Sequence, residues 1–150
     1  MKLYLVRHGE ATTEEINPEK PLTEKGEEQI RKITCVLENL DVKISALWHS
    51  SKRRARESAQ ILSKGLKVED KLEQKSGLNP NDPVEPFKQN ILEFKQDLMI
   101  IGHLPFLAKL AEVFLMAKTS EEIVTFPPGG VVCLEITENQ LAKVSWSVMP

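Results

Sequence analysis

The sequence predicts an α/β domain with a mostly parallel sheet and a closing pair of strands. Short apolar runs alternate with stretches of three- and four-residue apolar periodicity, the order strand, helix, strand, helix. From Val131 onward the helical period gives way to a strand period of two. A chain of 150 residues can bury one substantial core and is small for two. No linker, internal repeat or low-complexity tract interrupts it, so residues 1–150 are read as a single domain.

Residues 2–7 are short and rich in Leu and Val, a buried strand. The polar segment Glu10–Pro21 follows, punctuated as loop by Asn17-Pro18 and Lys20-Pro21. Thr23 is placed to cap a helix, with Glu24 at the positive end of its dipole. Ile30, Ile33, Leu37 and Leu40 then recur on one helical face. Ile44–Trp48 is the second strand. Ser50 or Ser51 can cap the next helix, in which Ala55, Ala59 and Leu62 form a narrow apolar stripe.

Leu66–Glu69 reads as a short third strand, and residues 71–83, rich in Pro and Asn, as a long surface loop. Val84, Phe87, Ile91 and Phe94 mark a third helix with Pro86 near its first turn. Asp97–Gly102 is the clearest central strand. Pro105 suits the first position of a helix carrying Phe106, Leu107, Leu110, Val113 and Phe114. Val131–Ile136 and Ala142–Val148 are two strands joined by residues 137–140. The second alternates Val144, Trp146 and Val148 with Lys143, Ser145 and Ser147, which predicts one covered face.

Composition narrows the function. Lys and Arg number 20 against 22 Asp and Glu, a net charge of -2. With no global basic field for nucleic acid or an anionic membrane, any affinity for anions must be local. Cys35 and Cys133 lack C-x-x-C spacing and lie in apolar-patterned segments, so both read as reduced, buried thiols. The N-terminal apolar run breaks at Arg7 and His8, too early for a secretory signal. No stretch approaches the roughly 20 apolar residues of a membrane span. A cytoplasmic monomer is the resulting expectation.

Four polar residues stand out against this background: Arg7, His8, Arg54 and His103. They are distant in sequence, yet each follows an apolar strand at its junction with a loop or helix. In open α/β sheets, ligands collect at the carboxyl ends of the strands. Two guanidinium groups and two imidazoles meeting there would form a pocket for a phosphoryl group. An Arg at a strand end can clamp phosphate oxygens in bidentate fashion. His8 adds a nitrogen nucleophile that is partly neutral at physiological pH, and Gly9 lets the backbone come close to a ligand.

In Ser51-Lys52-Arg53-Arg54 three cations crowd the start of a helix, each unfavourable there by about a few tenths of a kcal/mol. A bound phosphate would reverse that sign. Lys52, Arg53 and Arg56 read as a solvated basic patch, and Arg54 is set apart by its company. His49 also ends a strand and is a third histidine candidate, although a loop polar residue is commonly just solvated.

Together these residues resemble the histidine phosphatase superfamily, with the phosphoglycerate-mutase-like fold, and within it the small bacterial phosphohistidine phosphatases of the SixA type. The resemblance spans nearly the whole chain. Leu5-Val6-Arg7-His8-Gly9-Glu10 is similar to the family's nucleophile motif, and Pro21-Leu22-Thr23-Glu24-Lys25-Gly26 to its P-L-T-x-x-G helix start. Residues 50–59 are similar to S-P-x-x-R-A-x-x-T-A, and Gly102-His103-Leu104-Pro105 to the second-histidine motif. Ser51, Ser58 and His49 depart from the family where Pro, Thr and a small residue are usual.

The resemblance implies a three-layer α/β/α sandwich in a minimal form without a cap insertion. It also implies a metal-independent phosphatase without cofactors. His8 would be the nucleophile that forms a phosphohistidine intermediate, while Arg7, Arg54 and His103 bind the phosphoryl oxygens. Larger members that hydrolyse esters use a carboxylate as general acid. Here Glu10, Glu73 and Asp82 are the candidates, and none sits in a recognisable acid motif. The labile P–N bond of phosphohistidine makes less demand on such an acid. A phosphorylated protein is therefore the expected substrate, a histidine-containing phosphotransfer domain being one such partner. The alternatives are a small-molecule phosphomonoesterase of the same superfamily and a noncatalytic phosphate-binding module. The intact His8 argues against the module, because binding alone requires no nucleophile.

Overall fold

The computed structural model describes residues 1–116 and 124–150. In strand β1 (Lys2–Arg7), Leu3 and Leu5 face one side of the sheet and Tyr4 and Val6 the other, and all four are buried. A strand buried on both faces needs a layer of structure on each side. The helices α1 (Glu24–Asn39) and α2 (Arg53–Leu66) supply one layer. Their Ile30, Ile33, Leu37, Ala55, Ala59 and Leu62 pack with Tyr4, Val6 and the sheet residues Leu47, Met99 and Ile101. The helices α3 (Val84–Phe94) and α4 (Phe106–Leu115) supply the other, setting Phe87, Ile91, Phe106, Leu110 and Phe114 against Leu3, Leu5, Trp48 and Ile100.

The remaining strands are β2 (Ala46–His49), β3 (Leu72–Gln74), β4 (Leu98–Gly102), β5 (Val131–Ile136) and β6 (Ala142–Val148). The sheet order is β3-β2-β4-β1-β5-β6. The first four in that order are parallel, and β5 and β6 join antiparallel. This is the three-layer, mostly parallel architecture with a C-terminal strand pair that the sequence predicts. Among the described residues, no helix is long and apolar enough to cross a membrane.

Several local expectations are corrected. The third strand is Leu72–Gln74, not Leu66–Glu69. Leu66 completes α2, Lys67 ends it in the left-handed region, and Glu69–Lys71 form a single 3-10 turn. Leu66 and Val68 are apolar because they pack against the α1/α2 layer rather than because they pair in the sheet. The stretch read as one long loop therefore begins with a short edge strand. Neither Ser50 nor Ser51 occupies the N-cap of α2, which is Lys52. Pro105 likewise sits at the N-cap of α4 rather than its first helical position. Cys133 is buried but Cys35 is exposed, since the buried stripe of α1 runs through Ile30, Ile33, Thr34 and Leu37. Leu40, expected on that stripe, is the C-cap and is half exposed.

The expected covered face of β6 is broken by a bulge. Cys133 pairs with Trp146 and Leu134 with Val144, which leaves Ser145 as the extra residue. Beyond it the alternation changes phase. Trp146 and Val148 pack on the α1/α2 side, Ala142 on the α3/α4 side, and Val144 is exposed.

One contact positions the ligand end of the sheet. Thr23 caps α1 by accepting a hydrogen bond from the Gly26 amide at 3.0 Å, and the first turn of α1 rests on the loop after β1. There two glycines meet backbone to backbone. A Cβ on Gly9 would lie 2.4 Å from the Gly26 carbonyl oxygen, and one on Gly26 would lie 2.0 Å from that of Glu10. Neither obstacle is a flexible side chain, so the backbones must separate to admit a methyl group. Gly26→Ala is expected to destabilise the fold by about 2–3 kcal/mol, read from the urea midpoint, as for overpacked core sites. Lys25→Ala next to it, on an exposed side chain, should shift stability by less than about 0.5 kcal/mol.

Candidate active site

The chain leaves β1 through α1 on one face of the sheet to reach β2, and leaves β4 through α4 on the other face toward β5. Because β1 and β4 are neighbours, the connections diverge between them and open a crevice at their carboxyl ends. Backbone bonds fix its floor. The amides of Arg7 and His8 donate to Gly130 and Gly102 at 3.0 and 3.2 Å, and the Gly129 amide reaches the carbonyls of both Arg7 and His8 at 3.1 Å.

His8 is oriented by its own neighbour. Its Nδ1 lies 2.6 Å from the Gly9 carbonyl, which can only accept, so the proton sits on Nδ1 and Nε2 keeps its lone pair. Arg54 donates to that lone pair from Nε at 3.3 Å. Burial pushes the imidazole down to about 4, with Arg54 and Arg7 adding to the effect and the Gly9 bond opposing it. His103 stacks obliquely on His8 with ring centres 4.9 Å apart. Burial first, then the charges of its neighbours, holds it at about 3. Both imidazoles are thus neutral at physiological pH, and the Nε2 electron pair of His8 is unprotonated, with Arg54 as its hydrogen-bond partner.

Two polar atoms in this cluster are buried without a partner in the protein. Arg7 donates from Nη1 to the Phe126 carbonyl at 2.8 Å, but its Nε is unsatisfied. His103 meets the Ser50 hydroxyl through Nε2 at 2.6 Å, while its Nδ1 is unsatisfied. Such groups are uncommon and each costs about 1–3 kcal/mol when left bare. Two of them, beside two guanidinium groups and a nucleophilic nitrogen, fit an incoming anion with several oxygens.

Sequence reasoning identified Arg7, His8, Arg54 and His103, and the structure brings these four together. It missed the residues that hold them. The buried Ser58 accepts from the Gly9 amide at 3.1 Å and donates to the Arg54 carbonyl at 2.7 Å, tying the loop after β1 to α2. Its hydroxyl at the motif position that is usually Thr was the available signal. The Phe126 carbonyl had none, because a backbone atom carries no side-chain signature. Arg53 lies at the surface, as expected of the basic patch, but it is paired. It bonds Glu57 and Glu19, and Glu57 also accepts from the Leu22 amide, so the loop over residues 10–21 is moored to α2.

That loop, the start of α2 and residues 79–82 enclose an open cleft of about 780 Å³. Arg54 is the member of the four that lines it, together with Lys52 and Arg56. Of the acid candidates, Asp82 also lines the cleft and accepts from the Asn79 amide. Glu10 is engaged by Thr23 and Lys25, and Glu73 pairs with Lys75 on the edge strand. His49 is buried, donates from Nδ1 to the Ser50 carbonyl, and does not line the cleft. Among the described residues, no group of three or more His, Cys, Asp or Glu side chains could hold a metal ion.

The family model of the histidine phosphatase superfamily, branch 1, matches residues 3–79, which include Arg7, His8 and Arg54. The chain belongs to this superfamily. No curated protein matches it by sequence. Among solved structures, the protein histidine phosphatase SixA complexed with tungstate superposes with a TM-score of 0.90 at 20% identity, covering 100% of this chain and 97% of that one. A candidate phosphohistidine phosphatase SixA from Agrobacterium tumefaciens gives 0.83 at 17% identity over 99% and 97%. A mycobacterial glucosyl-3-phosphoglycerate phosphatase gives 0.76 at 12% identity over 97% of each chain. At these identities the likeness is one of fold.

The lowered pKa values of His8 and His103 are expected to make the phosphatase sensitive to acid. Each has a folded pKa below the unfolded value near 6.5, so between these values the unfolded chain binds more protons. Stability is therefore expected to fall as pH drops from about 6.5 toward 4. Urea midpoints at pH 7 and pH 5 measure the loss, and His8→Asn, which does not titrate, should lessen it.

Proposed function

We propose that this phosphatase removes the phosphoryl group from phosphohistidine on a protein, a histidine-containing phosphotransfer domain being a fitting partner. The observation that carries the reading is the neutral His8, with its Nε2 lone pair beside Arg54 and an unsatisfied donor on Arg7. Nε2 attacks phosphorus, the P–N bond to the substrate histidine breaks, and its electron pair stays on the departing imidazole. That imidazole takes a proton at its far ring nitrogen from solvent and leaves neutral. Arg7, Arg54 and His103 hold the phosphoryl oxygens and offset charge in the transition state. Water then attacks phosphorus, the P–Nε2 bond breaks, its pair returns to His8, and inorganic phosphate departs.

The open, polar cleft suits a histidine presented on a protein surface. The full-length likeness to a protein histidine phosphatase supports the same substrate class. A second reading rests on Asp82, which lines the cleft with Arg54 and could protonate an ester oxygen. The likeness to a glucosyl-3-phosphoglycerate phosphatase favours that small-molecule alternative.

The two readings part on kinetics. The phosphohistidine reading expects a higher kcat/KM on a phosphohistidine protein than on small phosphomonoesters, and the reverse order would overturn it. Asp82→Asn should change phosphohistidine hydrolysis by less than about threefold, whereas loss of a working general acid costs about 10²–10⁴. His8→Ala is expected to abolish turnover and the acid-labile, base-stable phosphoryl adduct seen on rapid quench. Arg54→Ala should lower kcat by about a hundredfold or more.

A further inference from the structure

Ser50 is absorbed by neither the nucleophile nor the oxygen-binding set, yet it is buried to 1% exposure against the equally buried His103. Its hydroxyl has one proton and two lone pairs. One lone pair faces the Lys52 amide, which donates to Oγ at 3.3 Å. Among the described residues, the one acceptor within reach of the hydroxyl proton is His103 Nε2, at 2.6 Å. If that nitrogen accepts, the single proton of the neutral imidazole must sit on Nδ1, the atom left without a partner in the protein. The opposite tautomer would strand the serine proton in a buried place and turn a lone pair toward the incoming phosphoryl oxygen.

We propose that Ser50 is a positioning residue that fixes the tautomer of His103, so that a neutral imidazole presents Nδ1–H to the phosphoryl group. His103 then contributes a hydrogen-bond donor without carrying a positive charge. Its surroundings favour that arrangement, because Arg7, Arg54 and Lys52 all disfavour a further cation there. The backbone holds the pair in register. Ser50 directly follows β2 and His103 directly follows β4, two paired strands in which His49 lies opposite Ile101. The donor role of His103 rests on the phosphoryl-transfer reading, but the tautomer is a property of the free protein and is measured without substrate.

The test is long-range ¹H–¹⁵N correlation on the free enzyme at pH 7, with His103 assigned by comparison with His103→Gln. The expected pattern is a protonated Nδ1 and an unprotonated Nε2. A proton on Nε2 in the wild-type protein would overturn the proposal, whatever the substrate proves to be. In Ser50→Ala the Nδ1–H pattern should be lost or averaged between tautomers, with kcat down about ten- to a hundredfold, in the range for removing the partner of a functional imidazole. A folded Ser50→Ala enzyme that keeps both the Nδ1–H tautomer and full turnover would equally overturn it. If that variant fails to fold, the wild-type spectrum still decides. Loss of phosphohistidine activity in the wild type, with the Nδ1–H tautomer present, would instead count against the substrate reading alone.

Discussion

The active end of the molecule depends on keeping an imidazole uncharged between two guanidinium groups. A protonated His8 would be repelled by Arg7 and Arg54 and would have no electron pair to donate. The fold prevents this in two ways. Burial makes the charged ring costly, and the Gly9 carbonyl fixes the one proton on the nitrogen that faces away from Arg54. On the proposed reading, the arginines can then concentrate positive charge for a phosphoryl group without protonating the imidazole they surround. This arrangement depends on the rigidity of the loop after β1, which carries both His8 and the Gly9 carbonyl. The contact between Gly9 and Gly26 and the bridge through Ser58 provide that rigidity.

The layers, strand order and divergence of connections explain why residues so far apart in sequence converge. Adjacent parallel strands β2, β4 and β1 end side by side, and the residue after each enters the same small volume. Ser50, His103 and His8 are those residues. The antiparallel strand β5 contributes differently. Its approach segment supplies Gly129, Gly130 and the Phe126 carbonyl, which brace β1 from the far side.

Much of this was legible in the sequence, for identifiable reasons. The central strands carry uninterrupted apolar runs because they are covered on both faces, and the helices show their stripes because each buries one. Arg7, His8 and His103 were conspicuous because apolar runs led straight into them, and Arg54, in the first turn of α2, stood out only in their company. What escaped has equally physical causes. Leu66 and Val68 look like strand residues because packing under a helix end selects the same side chains as pairing in a sheet. The bulge at Ser145 cannot be seen in an alternation that continues unbroken through it. Ser50 and Ser58 are small, common residues whose importance lies in what their hydroxyls touch. Arg53 resembled its solvent-facing neighbours until Glu19 and Glu57 were placed beside it.

The bulge has a consequence away from the chemistry. A sheet that is not closed into a barrel has two margins, and each is a template on which another chain can add a strand. Here one margin, β3, is only three residues long. The other, β6, has its ladder interrupted at Ser145 and carries Lys143 exposed beside it. Short length, an irregular backbone and an outward charge make both margins poor seeds for intermolecular pairing. The irregularity that spoils the alternation of β6 therefore protects a hydrophobic, six-stranded sheet from aggregating edge to edge.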